Sequence, residues 1–355
     1  MLKVVSLFAG CGGADVGLLG GFKYIGQNYA RLPYEIVYAN DIDKKAINTY
    51  EKNFGSYGHR VENGDILNIK EEMIPAHDLL IGGFPCQSFS TVNPTKDPFD
   101  DRANLYKEMI RVLKYHKPRF FIAENVKGFM TLHKGEIYKR VCNEFEKAGY
   151  NLSSKLLNSA DFGIPQKRER VFIVGVRDDL KQGYEFPLET HDVNGENNKK
   201  PWVPLKEVID SLVPNDPKYY FSERAVQGMK NAKKNMKRGL WQDLNAPCLT
   251  ITSHLAKVSL NSRDPVLLVD PEKELYRRFT PREAARIQSF PDSFQLVGSQ
   301  GDAYRQIGNA IPPVLFWHLS RALYKQFSQC FAELKDTDNT IINEDNQLEM
   351  LLNGV

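Results

Sequence analysis

Five short apolar runs, spread through the first half of the chain and separated by helical patterns, limit its fold more than any other feature. They cover residues 4–8, 35–40, 79–82, 120–124 and 171–176. Between the third and fourth, Leu105, Met109, Val112 and Leu113 follow helical spacing. Strands that alternate with helices predict an α/β fold, with a mostly parallel sheet covered on both faces.

Composition shifts near Asp178. From Gln182 to about Asn261 periodicity is weak and prolines recur, at Pro187, Pro201, Pro204, Pro214, Pro217 and Pro247. This stretch is expected to form a smaller, irregular domain. Regular patterning returns at Thr280-Pro281-Arg282-Glu283, where Thr280 can cap a helix, Pro281 suits its first position and Glu283 completes a capping box. A further helix is expected over residues 311–327. The expected division is therefore 1–178, 179–276, 277–330 and an acidic, frayed tail over 331–355.

The 355 residues carry a net charge of +3, too little to decide a partner. The distribution says more. From Arg224 to Arg263 eight basic residues stand against one acid, Asp243, whereas six acids stand against Lys335 after residue 330. A basic middle suits a polyanion, although a solvated charged face has the same composition. Five scattered cysteines without a C-x-x-C pair argue against a disulfide framework or a zinc site. No apolar run approaches the roughly 18 residues of a membrane span, and the apolar block at the N-terminus is too short for a signal peptide. A cytoplasmic protein without a metal is expected.

Several motifs sit at the ends of the expected strands, where open α/β sheets place their ligands. Phe8-Ala9-Gly10-Cys11-Gly12-Gly13 follows the first run, and its glycines let a ligand approach the backbone. Asp41 and Asp43 end the second run, where an acid can accept hydrogen bonds from ribose hydroxyls. Asp65 lies where a third strand should end and can accept a bond from an adenine amino group. Together these suggest an adenosine-containing cofactor and leave a nicotinamide cofactor open. Gly82-Gly83-Phe84-Pro85-Cys86-Gln87-Ser88 presents one thiol among chain breakers. An arbitrary cysteine is more often an inert core thiol, but this polar setting favours a reactive thiolate. Glu124 ends a buried strand, where a carboxylate is costly unless paired or used. Alternation turns Gln166, Arg168 and Arg170 to one face, either toward a polar ligand or along an exposed sheet edge.

Taken in order, these motifs resemble those of DNA (cytosine-5)-methyltransferases of the bacterial restriction–modification type. The set is Phe8–Gly13, Pro85-Cys86-Gln87, Glu124-Asn125-Val126, Gln166-x-Arg168-x-Arg170, Arg282-Glu283-x-Ala285-Arg286-x-Gln288-x-Phe290-Pro291 and Gln306-Ile307-Gly308-Asn309-Ala310-x-Pro312-Pro313. The resemblance covers residues 2–325. Each motif alone is modest evidence, but the ordered set is specific. One departure is Asp41, where the family more often has Glu; the shorter acid can still bind a ribose.

The resemblance implies a Rossmann-like S-adenosylmethionine-dependent methyltransferase domain and a target-recognition domain over 179–276. It implies Cys86 as the nucleophile toward cytosine C6, Glu124 as the carboxyl at N3 and the exocyclic amine, and Arg170 as the partner of Glu124 and of the base O2. Arg168 and Gln166 lie nearby in the implied site. The implied contacts to S-adenosylmethionine are Phe8, Gly10, Asp41, Ile42, Asp65, Ile66, Pro85, Leu105, Asn309 and Ala310. Double-stranded DNA is the implied substrate, entered by base flipping. The loop from Gln87 to about Asn104 suits a lid, with Gln87, Ser88 and Ser90 as expected DNA contacts. Base readers are expected between Thr250 and Arg263, with His254, Lys257, Asn261 and Arg263 as candidates by donor chemistry. The enzyme is expected to act as a monomer, with a cognate restriction endonuclease as a partner in function.

Three other readings compete. An RNA cytosine-5 methyltransferase shares the scaffold, but the large basic middle region favours DNA. A catalytically silent relative is disfavoured by the intact Cys86, Glu124 and Arg170. A nicotinamide dehydrogenase leaves Cys86 and the 166–170 segment without a role.

Overall fold

The computed structural model describes residues 1–85, 105–210, 216–231, 241–255 and 266–332. Seven strands form its central sheet: β1 (Leu2–Leu7), β2 (Tyr34–Asp41), β3 (Arg60–Asn63), β4 (Leu79–Gly82), β5 (Phe120–Val126), β6 (Tyr150–Asn158) and β7 (Glu169–Arg177). Their order across the sheet is β3-β2-β1-β4-β5-β7-β6. The first five pair in parallel, and β7 runs antiparallel between β5 and β6. The expected α/β architecture is therefore present. The 166–170 segment leads into an interior strand, so the exposed-edge alternative does not apply.

The central strands are mostly apolar because both faces are covered over most of their length. Successive side chains on a strand point to opposite faces. Leu79 and Ile81 of β4, with Phe120 and Ile122 of β5, join one core with Leu18, Leu315 and Leu319 from helices α1 (Gly13–Leu19) and α8 (Pro313–Ala332). Leu80, Phe121 and Ala123 point the other way. They pack with Met109, Val112 and Leu113 of α3 (Tyr106–His116) and with Val141 and Phe145 of α4 (Glu136–Glu146). Helix α2 (Lys44–Phe54) follows β2 and adds Tyr50 and Phe54 to the first core.

The described residues between β7 and α6 (Pro281–Ile287) are mostly irregular and join the main body through several anchors. Leu205, Val208, Cys248, Ile251 and Leu255 belong to the first core. Val226, from α5 (Glu223–Asn231), packs with Val266 and Tyr276 in a small core of their own. At the return point the capping box forms: Thr280 Oγ1 accepts from Glu283 N and a Glu283 carboxylate oxygen accepts from Thr280 N. Both Glu283 oxygens also take the guanidinium of Arg277 at 2.7 Å, a fork-to-fork pair with side chains 0% and 3% exposed. Among the described residues no helix is long and apolar enough to cross a membrane.

Candidate active site

The carboxyl ends of β1 to β5 gather the first set of expected residues. The chain leaves β1 through Phe8 (φ 55°) and Gly10 (φ 57°), both left-handed. Nothing lies within 4 Å of where a Gly10 side chain would begin, so the turn faces open space. Gly10 N donates to Asp41 Oδ2 and Asp43 N to Asp41 Oδ1, both at 2.8 Å. Burial pushes the Asp41 carboxyl up, against the pull of these two bonds. Asp43 has a structural task, since it caps α2 by accepting from Lys45 N.

The loops after β2 and β3 are stitched together. Buried Asn40 donates to the carbonyls of Glu62 and Gly64, and Asn63 donates back to those of Asp41 and Ile42. Ile42 is 69% exposed, an apolar surface beside the Asp41 carboxylate. Asp65 caps a short turn, accepting from Leu67 N through Oδ1. The Ile66 side chain is buried in the core, whereas Leu67 is 53% exposed. Leu67 was missed in the sequence because a lone leucine in a polar loop carries no pattern. Pro85 and Leu105 are half-buried, the latter just before α3. Asn309 ends helix α7 (Gln300–Asn309) and is exposed, followed by half-buried Ala310.

The second set meets at β5 and β7. Glu124 and Arg170 lie on adjacent antiparallel strands, with Glu124 opposite Phe172 and Val126 opposite Arg170. This diagonal relation on one face brings Arg170 Nε to 3.0 Å from Glu124 Oε1, each side chain 13% exposed. Burial pushes the Glu124 carboxyl up, opposed first by Arg170 and then by Arg168. Gly83 faces this carboxylate: a side chain there would start 3.2 Å from Glu124 Oε2.

Arg168 and Gln166 sit deeper. Arg168, 1% exposed, donates to the carbonyls of Ile251, Gly308 and Ala310 at 2.9–3.0 Å. Gln166 accepts from Ile251 N and donates to Ile287 O and to Gln288, which in turn donates to Ala310 O. Their hydrogen bonds join the strand that carries Arg170, the 308–310 turn and the residues just before the expected base readers. His254 is exposed. Cys86, Gln87, Ser88, Ser90, Lys257, Asn261 and Arg263 lie outside the described residues.

The chain at Phe84 is fixed from below. Asn125, 3% exposed, donates to Phe84 O at 3.0 Å, and the Phe84 ring packs against Tyr106 and Phe129. Phe84 is two residues before Cys86. Asn125→Ala is expected to lower the single-turnover rate of the catalysed reaction about tenfold, the scale of one buried hydrogen bond, with KM near wild type; steady-state and quench kinetics read both. Three other thiols, those described, are poorly placed for nucleophilic chemistry: burial pushes Cys11 up to about 12 and raises Cys142 and Cys248 as well. Among the described residues no His/Cys/Asp/Glu group could hold a metal ion.

Fold and site together define an α/β protein whose parallel strands end in a left-handed turn at Phe8–Gly10 beside the Asp41 carboxylate, with a half-buried carboxylate–guanidinium pair on the neighbouring strands. The chain is 33% identical to the type II methyltransferase M.NgoFVII of Neisseria gonorrhoeae, over 96% of this chain and 91% of that protein. It is 37% identical to M.BspRI of Lysinibacillus sphaericus, over 94% and 83%. The solved structure of the S. pombe Dnmt2 methyltransferase shares the fold, with a TM-score of 0.71 at 22% identity, covering 92% of this chain and 99% of that one. The family model of C-5 cytosine-specific DNA methylases matches residues 2–325, and the chain belongs to that family. Its activity is methyl transfer to C5 of cytosine in DNA.

Proposed function

We propose that this enzyme methylates one cytosine within a fixed duplex sequence, taking the methyl group from S-adenosylmethionine, as the modification half of a type II restriction–modification system. The Glu124–Arg170 pair beside the Phe84–Pro85 anchor carries this reading. Residues 1–178 and 277–330 form its catalytic part and 179–276 its target-recognition part. The enzyme acts as a monomer in the cytoplasm, and a cognate endonuclease is its partner in function. Names of relatives support this role, since both proteins compared above are type II methyltransferases.

The residues suit an adenosyl cofactor. Asp41 would hold the ribose, Ile42 would offer an apolar face to the adenine, and Asp65 would accept from its amino group; Phe8, Gly10, Ile66, Pro85, Leu105, Asn309 and Ala310 would make the remaining contacts. When bound, the cofactor supplies an electrophilic methyl on a sulfonium.

Cytosine C5 is too weak a nucleophile to take that methyl unaided. The Cys86 thiolate adds to C6 of a flipped base, forming an S–C6 bond and moving electron density onto N3 and C5. Glu124, whose burial favours keeping its proton, bonds N3 and the exocyclic amine where this charge collects. Arg170 holds the Glu124 carboxyl and reaches the base O2. Arg168 and Gln166 position this strand against the 308–310 turn and Ile251. After methylation C5 loses its proton, the S–C6 bond breaks, and the ring regains aromaticity. Gln87, Ser88, Ser90, His254, Lys257, Asn261 and Arg263 contact the DNA.

Bisulfite sequencing of DNA from cells expressing this chain tests the proposal. Protected cytosines should fall at one position of one short sequence. An unprotected genome, with the protein present and folded, overturns it.

A further inference from the structure

Arg111, on the outward side of α3, is not part of any motif named above. We infer that it is a positioning residue for the adenine end of the cofactor site. Its guanidinium spends its donors on the turn that Asp65 begins: Nη2 reaches Ile66 O at 3.1 Å and Ile69 O at 2.9 Å. Nη1 meets Glu71 Oε2 at 2.8 Å, at the far end of the same loop, and Nε meets Glu108 Oε2 at 2.8 Å on its own helix. His116, one and a half turns further along α3, adds a ring-nitrogen bond to Glu71 O at 3.0 Å.

The need for such a clamp follows from the turn itself. A single short helical turn closes few internal bonds: Asn68 N to Asp65 O and Ile69 N to Ile66 O. Arg111 adds a second donor to Ile66 O and one to Ile69 O, which lies beyond these bonds, and an isolated turn of this length is marginal in water. Asn40 secures the chain only as far as Gly64. Beyond that point, Arg111 Nη2 bonds both carbonyls that flank the exposed Leu67–Asn68 tip, while Nη1 and Nε are held by Glu71 and Glu108. A planar fork with fixed donors suits this task better than a flexible ammonium.

Helix α3 also begins directly after residues 86–104, which carry the nucleophile. One side chain therefore ties the adenine turn to the helix that continues the nucleophile loop.

The inference rests on the adenosyl-cofactor reading above, and calorimetric titration with S-adenosylhomocysteine separates the two. Absence of binding by the wild-type protein overturns the cofactor reading. If the wild type binds, Arg111→Gln should raise the Kd about tenfold or more, the effect of losing charged hydrogen bonds to two carbonyls. The Kd for the target duplex and the single-turnover rate at saturating cofactor should stay within about twofold, because neither depends on this turn. Arg111→Lys keeps the charge but not the fork, and should show most of the loss. Glu71→Gln keeps the carbonyl bonds, and should show little, as expected for a partly exposed ion pair.

An unchanged Kd in Arg111→Lys overturns the clamp, as does an equal loss in Glu71→Gln. A parallel fall in duplex binding and rate also overturns it, because that pattern marks general destabilisation. If Arg111→Gln fails to fold, the Arg111→Lys to Glu71→Gln ratio decides by the same measure.

Discussion

Cys86→Ser should bind its target duplex as the wild type does and transfer no measurable methyl. The loss is expected to be at least about 10³-fold, the scale on which removing a nucleophile acts. A serine hydroxyl is scarcely ionised near neutral pH, so it cannot add to C6 at a useful rate. The sulfur contributes little to holding DNA, so affinity in a gel-shift titration should survive. The wild-type enzyme should also form a covalent complex with a duplex carrying 5-fluorocytosine at the target position. Fluorine cannot leave as a proton does, so the S–C6 bond persists through denaturing electrophoresis. Normal methylation by Cys86→Ser, or no adduct with a duplex that is otherwise methylated, would remove Cys86 from the mechanism.

Glu124→Gln should lower the single-turnover rate by roughly 10²-fold, as loss of a proton donor or of charge stabilisation in a buried site does. The amide fits the same space and can still bond the base. It cannot deliver a proton to N3 as charge collects there. The pH dependence gives an independent signature. Burial raises the Glu124 pKa, so the carboxyl keeps its proton to higher pH than an ordinary glutamate. Activity that needs this proton must fall as pH rises through the raised value. In Glu124→Gln that limb should vanish. In Arg170→Gln it should move to higher pH, because the guanidinium that opposes the rise is gone. A limb that persists unchanged in Glu124→Gln belongs to another group.

Much of this was legible in the sequence, for reasons that differ between elements. The five inner runs stood out because these strands are covered on both faces over most of their length and so hold few polar residues. The two strands at the sheet margins did not stand out. Arg60–Asn63 has only one apolar residue, Val61, and Tyr150–Asn158 alternates around serines and a lysine. Edge strands need one paired neighbour and tolerate polar side chains, so no apolar run marks them. Thr280 and Glu283 showed their capping box in advance because it depends on three consecutive spacings. The Arg277 partner of Glu283 was invisible, since nothing local distinguishes a buried arginine from a solvated one.

The site shows the same division. Glu124 was visible because it closes an apolar run, and Arg170 because it alternates with Gln166 and Arg168 just before the next one. Arg168 and Gln166 were visible as site residues, but their bonds to Ile251, Gly308 and Ala310 span 83 to 142 positions of chain. Such partners follow from packing alone. Asn125 stood inside a quoted motif, yet its hold on Phe84 depends on how β4 and β5 lie side by side.

The antiparallel placement of β7 has a consequence for how this chain can change. Glu124 and Arg170 meet through strand register, and the 45 residues between them include helix α4 and strand β6. Lengthening the loops between those elements leaves the register alone, so the loops tolerate insertions. One residue inserted within Phe120–Glu124 or Arg170–Val176 instead turns one partner to the opposite face of the sheet. The acid and its guanidinium are thus indifferent to the length of the chain between them and intolerant of a single extra link beside either one.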